Sequence, residues 1–273
     1  MTTVSVLIPT HDGARHIRPA VDSALAQAGV DLELIVVDDD SKDDTAQIVA
    51  AYRDPRVRLV RNPSNLGPEG NWNRALALAR GEYVKLLPQD DRLLPHSLAR
   101  QVAVLEADTE RAIALVFGAR EIIGPTGRVL ARRGFGGAAS GRVAAPVLVR
   151  HCVRRGTNVL GEPGAILFRR ALAERVGGFD GQQGYVIDLD YWIRLLAHGD
   201  AWYLAEPVSS FRVSSGSWSV AIGRQQCRQY LAFIARMKAA GLVSGSRTDF
   251  AIGQAAAVVN NALRLVFYKM FVR

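Results

Sequence analysis

The sequence predicts an α/β fold in which a mostly parallel sheet is covered by helices on both faces. Short apolar runs alternate with segments of helical periodicity at least three times within the first 90 residues, which is typical of parallel strands joined by crossover helices. Three of the apolar runs end in acidic turns. The 273 residues, 49% hydrophobic and 22% charged, suffice for one large domain and argue against a disordered chain or a coiled coil.

The elements of the first half follow from the apolar runs and their boundaries. Residues 4–9 form an apolar run that ends at Pro9, which predicts a buried strand. Ile17, Val21 and Ala24 recur at helical spacing in the segment that follows. Acidic residues in the first turn of the second helix favour its dipole, and Gly81 stops the third helix. The predicted strands are residues 4–9, 32–37, 57–60 and 83–87, and the predicted helices are 14–27, 43–52, 71–79 and 98–105.

The second half is less regular. Residues 112–145 combine short apolar runs with glycine-rich turns, which predicts short strands. The segment 188–198 has helical periodicity, with Asp188 at its start. The remaining predicted elements are strands at 165–168 and 208–213, a short helix after the first of these, a turn at 177–180, and helices at 221–240 and 249–272.

Acidic side chains stand at the carboxyl ends of three predicted strands, in residues 10–12, 38–41 and 89–91. Since ligands of open α/β sheets bind beyond the carboxyl ends of the strands, we expect the three ends to line one site. Asp90 and Asp91 offer the hard oxygen ligands that Mg²⁺ and Mn²⁺ prefer. The acids that follow the second strand could accept hydrogen bonds from a base or a ribose. Capping of the helices that follow is the alternative, and the two roles are compatible.

Several function classes lack their signatures. The sequence has no GxxxxGK[ST], GxGxxG or GxSxG segment, which disfavours P-loop NTPases, nicotinamide or flavin enzymes and α/β-hydrolases. The net charge of +8 comes mainly from scattered arginines without interleaved aromatic residues, so we expect no nucleic-acid partner. Cys152 and Cys227 stand outside any CxxC or Cys/His cluster, which argues against a zinc site or a disulfide framework.

Six segments between residues 4 and 196 together resemble one large enzyme family. They are SVLIPTHDGARHIRPAVDSALAQ, ELIVVDDDSKDDT, NLGPEGNWNRALALARGEYVKLL, PQDD, GEPGAILFRR and DLDYWIRLL. In this order and at this spacing they resemble family 2 of the inverting nucleotide-sugar glycosyltransferases, which have the GT-A fold, a Rossmann-like α/β fold. The SWS segment at residues 217–219 is similar to a bacterial branch of this family.

The resemblance implies a domain organisation and a set of partners. A GT-A catalytic domain would span residues 1–213, with a nucleotide-sugar half at 1–110 and an acceptor half at 111–213, and a helical region would follow at 214–273. The donor would be a nucleotide-sugar, by default a UDP-sugar, with dTDP and GDP open. The acceptor would be a sugar or a lipid-linked sugar in polysaccharide or glycolipid assembly, and the cofactor Mg²⁺ or Mn²⁺.

The resemblance also implies roles for individual residues. Asp188 matches the general base, Asp91 matches the principal metal ligand, and Asp90 would lie near the metal or the ribose. Asp39 would accept a hydrogen bond from the base of the nucleotide. The other implied contacts are with the nucleotide, at Pro9, Thr10, Asp12, Asn71 and Arg74, and with the sugar or the acceptor, at Glu162 and Trp192.

Three positions depart from the family pattern. Gln89 replaces the first acid of the metal-binding DxD motif, and Ile187 replaces the glutamate that usually precedes the base. The third metal ligand of the family, often a histidine, is not evident, since the matching segment offers only Ser214 and Ser215. Two alternatives therefore stay open: a nucleotidyltransferase of related architecture, and a sugar-nucleotide-binding module with weak catalysis.

The C-terminal segment predicts an amphipathic helix. Residues 249–272 are apolar except for a narrow stripe of Asn260, Asn261 and Arg264 on one face and Lys269 near the end. The stripe is too polar for a comfortable membrane span. One interpretation is an interfacial helix that brings the enzyme to lipid-linked acceptors. The other, slightly favoured, is packing against the catalytic domain or dimerisation. The N-terminus has no signal peptide, so we expect a cytoplasmic chain, with peripheral attachment to the inner face of the cell membrane as the variant.

Overall fold

The computed structural model describes residues 3–214, 220 and 222–271 and confirms the α/β class. The strands are β1 (Val4–Thr10), β2 (Leu32–Asp38), β3 (Val57–Arg61), β4 (Tyr83–Leu86), β5 (Arg92–Leu93), β6 (Ile113–Ile123), β7 (Val129–Arg133), β8 (Gly141–Val143), β9 (Ile166–Arg169) and β10 (Asp200–Arg212). The α-helices are α1 (Ile17–Leu25), α2 (Thr45–Ala50), α3 (Gly67–Leu78), α4 (Ser97–Ala107), α5 (Ala145–Arg155), α6 (Arg170–Val176), α7 (Ile187–Leu196), α8 (Gln226–Ala239) and α9 (Arg247–Phe271). Short 3-10 helices occupy Pro163–Ala165, Gly181–Val186 and Gly223–Gln225.

One sheet runs through the described part of the chain, in the order β3-β2-β1-β4-β9-β6-β10-β5, with β7 on β6 and β8 on β10. The first four strands in this order are parallel, as predicted. The second half is mixed: β9 runs antiparallel to both β4 and β6, whereas β10 runs parallel to β6. The expectation of a mostly parallel sheet therefore holds for the N-terminal half only. The hairpin from β6 to β7 is too short for the crossover that parallel pairing needs.

Two hydrophobic cores lie on opposite faces of the sheet. Val6 and Ile8 of β1 pack with residues of α1, α2 and α4 on one face. Leu7 joins the other core, to which α3 and α5–α9 contribute. This alternation follows from the period of two in a strand, and it explains why β1 reads as a continuous apolar run.

Lys85 is a polar exception inside the first core. It lies in β4 and is fully buried. Its Nζ donates hydrogen bonds to Gln101 Oε1 of α4 at 2.6 Å and to the carbonyl oxygen of Gly164 at 3.0 Å. Gln101 in turn donates to the carbonyl oxygens of Val116 and Ala165. Burial lowers the pKa of Lys85 well below its ordinary value, because the charged amine has lost its hydration without gaining a carboxylate among the described residues.

Three boundaries differ from the predictions. Helix α3 begins at Gly67, four residues earlier than expected, because Gly67 adopts a left-handed φ of 73° and Pro68 then fits the first helical turn. Helix α5 falls just after the predicted short strands of residues 112–145, in a segment for which the sequence predicted no element. Strand β10 begins at Asp200 and not at residue 208, and register shifts beside Pro207 interrupt its pairing with β6.

Helix α9 packs against the body of the protein along one face. Two glycines let α9 approach α5 closely: a Cβ at Gly253 would lie 2.1 Å from the carbonyl oxygen of Val153, and one at Gly156 would lie 2.3 Å from the amide nitrogen of Ala257. Asp249 anchors the start of the helix by ion pairs with arginines of α5. The opposite face leaves Val258, Val259, Leu263, Val266 and Met270 exposed. By length and composition alone, α9 could cross a membrane, and it is the one such helix in the part of the chain that is described.

Candidate active site

The carboxyl ends of β1, β2 and β4 meet at one edge of the sheet, as the sequence predicted. Thr10 lies opposite Asp38, and the amide of Asp39 donates to the carbonyl oxygen of Thr10 at 2.8 Å. Gln89, just beyond β4, accepts hydrogen bonds from the Thr10 hydroxyl and the His11 amide and donates to the His11 carbonyl oxygen. Gln89, which replaces the first acid of the DxD motif, therefore connects the ends of β1 and β4. Its side-chain amide forms all of these hydrogen bonds within the protein.

Asp39 supports the loop that leads into α3. It is buried, and its carboxylate accepts hydrogen bonds from the amides of Leu66 at 2.8 Å and Gly67 at 2.9 Å and from Asn62 Nδ2 at 2.5 Å. Asn71 Nδ2 donates to the carbonyl oxygen of Val37 at 3.1 Å. These bonds give both side chains a structural role at the rim, and their contact with a nucleotide stays a prediction.

The remaining predicted nucleotide contacts border the same rim. Asp12 has a left-handed φ of 45°, and its Oδ1 accepts a 2.8 Å hydrogen bond from the Lys42 amide, while its own amide donates to Ser41 Oγ. Pro9 is buried within β1. Arg74 is half-buried in α3, and its side chain forms no hydrogen bond or ion pair with any residue of the described ranges. The structure thus leaves Arg74 available to an anion but does not place it against the cavity described below.

Asp90 and Asp91 form an acidic pair just beyond β4, in which Asp91 is buried and Asp90 is half-buried. The Oδ1 atom of Asp91 accepts a hydrogen bond from the Arg212 amide at 2.8 Å, whereas its Oδ2 is buried without a partner among the described residues. Arg212 Nε donates to the Asp90 carbonyl oxygen at 2.9 Å. Burial raises the pKa of Asp90, and burial together with the charge of Asp90 raises the pKa of Asp91 well above its ordinary value.

These features fit a divalent cation. An unpartnered buried carboxylate oxygen beside a second carboxylate is costly unless something positive lies against it. Within residues 3–214, 220 and 222–271, no three His, Cys, Asp or Glu side chains gather as a complete metal site. A bound Mg²⁺ or Mn²⁺ would therefore take further ligands from water and phosphate oxygens, which is how Mg²⁺ is commonly held.

A cavity of about 530 Å³ joins the acidic pair to the second half of the chain. Asp90 and Pro88 line it at the sheet edge, Glu162 and Asp188 line its middle, and α9 closes one side. This volume lies within the range of small-molecule sites. Asp90 and Asp188 thus share one cavity although 98 residues separate them, whereas Asp39 lies behind the neighbouring strand end and does not line it.

Asp188 lies in the first turn of α7, and its carboxylate accepts two hydrogen bonds. Asn158 Nδ2 donates to its Oδ2 at 3.1 Å, and the Leu189 amide donates to its Oδ1 at 2.7 Å. Burial is the main cause that raises the pKa of Asp188 to about 7, and the nearby negative charge of Glu162 adds to it. A carboxylate with a pKa near neutrality is suited to accept a proton in catalysis.

Glu162 is fixed beside Asp188 by a residue that sequence reasoning missed. Arg120 of β6 is buried, and its Nε donates to Glu162 Oε2 at 2.5 Å. Gly161 adopts a φ of +110°, and a Cβ there would lie 3.0 Å from the Arg120 side chain. No motif in the sequence links Arg120 to Glu162, because the contact depends on how β6 is placed beside the 3-10 helix Pro163–Ala165.

Trp192 does not line the cavity, and the expectation that it contacts sugar is wrong. Its side chain is fully buried and packs against Phe168, Phe179 and Tyr191. Asp188 and Trp192 lie one helical turn apart on a similar face of α7. The first turn, with Asp188, borders the cavity, whereas the next turn, with Trp192, is covered by the core. Trp72 of α3 supplies a tryptophan to the cavity wall instead.

Two sequence features remain without structural detail. The SWS segment at residues 217–219 and Ser215 lie outside the described residues.

Ile187, which replaces the expected glutamate, lines the cavity beside Asp188 as an apolar residue. An isoleucine here helps to keep water from the Asp188 carboxylate, whereas the glutamate of the family pattern would have placed a second negative charge beside it.

The profile of the family described as "Glycosyl transferase family 2" matches residues 5–175, which is more than half of the chain. The chain belongs to glycosyl transferase family 2. This confirms the resemblance that the six segments indicated, and the matched region of this family 2 chain contains the whole rim, the acidic pair and Glu162. Asp188 lies beyond the match, so its role rests on the structure and the DLDYWIRLL segment.

Three curated relatives of this family 2 chain come from bacteria. An uncharacterised protein of Mycobacterium tuberculosis is 34% identical over 215 residues, which cover 76% of this chain and 66% of that protein. The succinoglycan biosynthesis protein ExoO of Rhizobium meliloti is 41% identical over 104 residues, 38% of this chain and 30% of ExoO. The UDP-Glc:alpha-D-GlcNAc-diphosphoundecaprenol beta-1,3-glucosyltransferase WfgD of Escherichia coli is 32% identical over 120 residues, 44% of this chain and 46% of WfgD. The chain thus spans about two thirds of the first relative and less than half of the other two.

Solved structures confirm the fold at low identity. S. aureus TarS 1-349 in complex with UDP-GlcNAc superposes with a TM-score of 0.71 at 18% identity, covering 96% of this chain and 73% of TarS. The mannosyltransferase PcManGT from Pyrobaculum calidifontis, in complex with GDP-Man and Mn²⁺, superposes with a TM-score of 0.63 at 22% identity, covering 96% and 71%. The family 2 chain therefore has the fold of these glycosyltransferases along nearly its whole length.

Proposed function

We propose that the chain transfers a sugar from a nucleoside-diphosphate sugar, by default a UDP-sugar, to an acceptor hydroxyl with inversion at the anomeric carbon. The observation that carries the proposal is the position of Asp188, a carboxylate with a pKa of about 7 in the cavity that Asp90 also lines. Family membership supports the reaction class, and the ligands printed for TarS and PcManGT support a nucleotide-sugar donor.

The donor would bind across the strand ends. Thr10, Asp12 and Asp39 border the rim where the nucleoside would lie, and Asp90 and Asp91 would hold the Mg²⁺ or Mn²⁺ together with the diphosphate. A bound cation supplies Lewis-acid stabilisation of the charge that grows on the departing diphosphate. Arg212 keeps the acidic pair in place, since its side chain fixes the Asp90 backbone and its amide fixes one Asp91 oxygen.

Asp188 would act as the general base. Its carboxylate takes the proton of the acceptor hydroxyl while that oxygen attacks the anomeric carbon from the face opposite the diphosphate. One displacement of this kind inverts the anomeric centre, and general-base assistance is typically worth about 10²–10⁴-fold in rate. Glu162, fixed by Arg120, would contact the sugar or the acceptor next to the base.

Release of nucleoside diphosphate from a panel of UDP-, dTDP- and GDP-sugars, with Mn²⁺, Mg²⁺ or EDTA, tests the proposal. We expect release of the nucleoside diphosphate from one donor, dependence on the cation, and an inverted product by NMR. Release of pyrophosphate would instead indicate a nucleotidyltransferase. Tight donor binding without turnover, across acceptor extracts, would indicate a binding module.

The acceptor and the attachment of the chain are further parts of the proposal. The names of ExoO and WfgD concern polysaccharide synthesis and a lipid-linked acceptor, and we propose the same general class here, on the cytoplasmic face of the membrane. The exposed apolar face of α9 supports contact with a membrane surface or a second copy of the chain through residues 249–272. Liposome flotation and light scattering separate the two: binding to vesicles by a monomer indicates the membrane, and a dimer that ignores vesicles indicates the second copy.

A further inference from the structure

The cavity contains three arginines that the proposed transfer does not bring into contact with a substrate. Arg120 of β6, Arg133 of β7 and Arg264 of α9 all line it. We infer that they form a subsite for an anionic group, a carboxylate or a phosphate, that the acceptor carries. This inference rests on the proposed function, because it names the chemical class of the acceptor that the same cavity would receive.

The pairing of β6 with β7 places two of these arginines side by side. Arg120 lies directly opposite Arg133 in the antiparallel ladder. Side chains directly opposite each other share one face of the sheet, with Cβ atoms about 4.5–5.5 Å apart, and like charges there are destabilising. The next pair of the same ladder, Glu121 and Arg132, forms a 3.0 Å ion pair on the other face. On the face of the hairpin away from the cavity, the opposite charges of Glu121 and Arg132 are paired. On the face toward the cavity, the like charges of Arg120 and Arg133 lie opposite each other.

The protein neutralises only part of this positive charge. Glu162 is the one carboxylate paired with Arg120, and neither Arg133 nor Arg264 has an ion pair within the described ranges. Arg264 bonds to neutral groups, the Tyr185 hydroxyl at 2.8 Å and the Gln226 side chain. The other two acids of the cavity, Asp90 and Asp188, are assigned to the cation and to the acceptor hydroxyl. The adjacent guanidinium groups of Arg120 and Arg133, with one paired carboxylate between them, therefore favour an anion.

Arg120 has the properties of a preorganised anion ligand. Its side chain is 6% exposed, so its charge has lost most of its hydration. Only its Nε has an acceptor among the residues that the structure describes, and the side chain lines the cavity. The left-handed backbone at Gly161 leaves room for this side chain, which any Cβ at that position would crowd. The planar guanidinium fork matches two oxygens of a carboxylate or phosphate.

The position of the cluster assigns the anion to the acceptor and not to the donor. The donor diphosphate would lie against Asp90 and Asp91 at the ends of the parallel strands. Arg120 and Arg133 lie on the mixed half of the sheet, and Arg120 pairs with Glu162, whose negative charge lies close enough to Asp188 to raise its pKa. An acceptor whose anionic group binds there would present a hydroxyl to Asp188 from the side opposite the diphosphate.

Binding of small anions to the intact chain tests the inference without turnover. The probes are inorganic phosphate, methyl β-D-glucuronoside and farnesyl phosphate, with the neutral methyl β-D-glucoside and farnesol as references. Arginine Nε–H NMR spectra give the Kd values, with and without saturating UDP and Mn²⁺. The variants are Arg133→Gln and, as a matched control on the same strand but the other face, Arg132→Gln. Arg133 lies on an exposed hairpin, so its substitution leaves the core intact.

We expect at least one anionic probe to bind saturably, with UDP and Mn²⁺ present, and its neutral reference not to bind. Arg133→Gln should raise the Kd about tenfold, since a hydrogen bond to a charged group is worth about one factor of ten or more, and Arg132→Gln should leave it unchanged. Preference for the glucuronoside identifies a sugar carboxylate, and preference for farnesyl phosphate identifies a lipid phosphate.

Three results overturn the inference: no saturable binding of any anion, equal effects of the two substitutions, or complete displacement of the anion by UDP. Release of nucleoside diphosphate, measured in parallel on the same wild-type samples, keeps the two proposals apart. Turnover without an anion site refutes the subsite alone. An anion site on a chain that releases no nucleoside diphosphate from any donor refutes the proposed transfer.

Discussion

Replacement of Asp188 by asparagine should abolish turnover and stabilise the fold at the same time. Asparagine has nearly the same shape, and its one carbonyl oxygen can still accept a hydrogen bond from either Asn158 or the Leu189 amide, but it cannot take a proton from an acceptor. We therefore expect the rate of transfer to fall by about 10²–10⁴-fold with little change in donor binding. Single-turnover rates and the Kd for the donor measure the two effects separately.

The expected gain in stability follows from the raised pKa of Asp188. The unfolded value is 3.8 and the folded value is about 7, so ionised Asp188 destabilises the folded state by up to about 4 kcal/mol above pH 7. This penalty is absent below pH 4, grows between pH 4 and 7, and is complete above pH 7. The free energy of unfolding of Asp188→Asn should thus exceed that of the wild type at pH 8 and equal it near pH 4, as urea titrations at the two pH values would show.

The same pKa predicts the pH dependence of the wild-type rate. Because the base must be ionised, kcat/KM should rise with pH up to about 7 and then level off. The control is Asp200→Asn, a substitution outside the cavity lining that removes the ion pair with Arg142, while the remaining amide oxygen can keep the hydrogen bond from the Ala145 amide. It should lower stability by about 1 kcal/mol and keep the pH profile. An Asp188→Asn protein with wild-type turnover, or one less stable than the wild type at pH 8, would refute the reasoning.

Three further substitutions test the rim and the C-terminal helix. Asp91→Asn should raise the Tm of the metal-free protein, because it removes a buried like-charge contact, and should abolish the rise in Tm that Mn²⁺ gives the wild type in scanning calorimetry. Asp39→Ala should lower the free energy of unfolding by about 1–3 kcal/mol in urea titrations, since it leaves the Leu66 amide without its acceptor, whereas the Gly67 amide keeps Asn65 Oδ1; a smaller loss would indicate that water replaces the carboxylate. Arginines of α5 hold the pKa of Asp249 below its usual range, so its stabilising effect is present above about pH 4 and lost as pH falls further. Asp249→Asn should therefore expose α9 to proteolysis at neutral pH, and equal cleavage of variant and wild type would contradict this.

The parts of the fold that the sequence predicted well are those with local signals. Each strand of the parallel block is a compact apolar run, and the acids that follow β1, β2 and β4 mark the edge where a ligand binds. Helix α5 was missed because the segment 145–155 is short, has Pro146 in its first turn and three arginines in its second half, and follows glycine-rich turns. Strand β10 was predicted too short because Glu206 and Pro207 interrupt its apolar pattern where the ladder shifts register.

The site was predicted less completely, because side-chain partners depend on register and on packing across long sequence distances. Trp192 and Asp188 stand one helical turn apart, and only the packing of α7 decides that one enters the core and the other the cavity. The two arginines of the β6–β7 ladder become neighbours only through its register. Asp39 was predicted for its position after β2, yet its bonds to a loop 27 residues away leave no local trace in the sequence.

The buried amine of Lys85 can report transient opening of the sheet, because a reagent reaches it only when the surrounding structure unfolds. The sequence has four lysines, and the other three, Lys42, Lys238 and Lys269, are exposed. An acylating reagent should label the exposed amines at once and reach Lys85 only when β4 separates from α4. Mass spectrometry of that last, slow adduct would therefore time the transient unfolding of the sheet centre without any engineered probe.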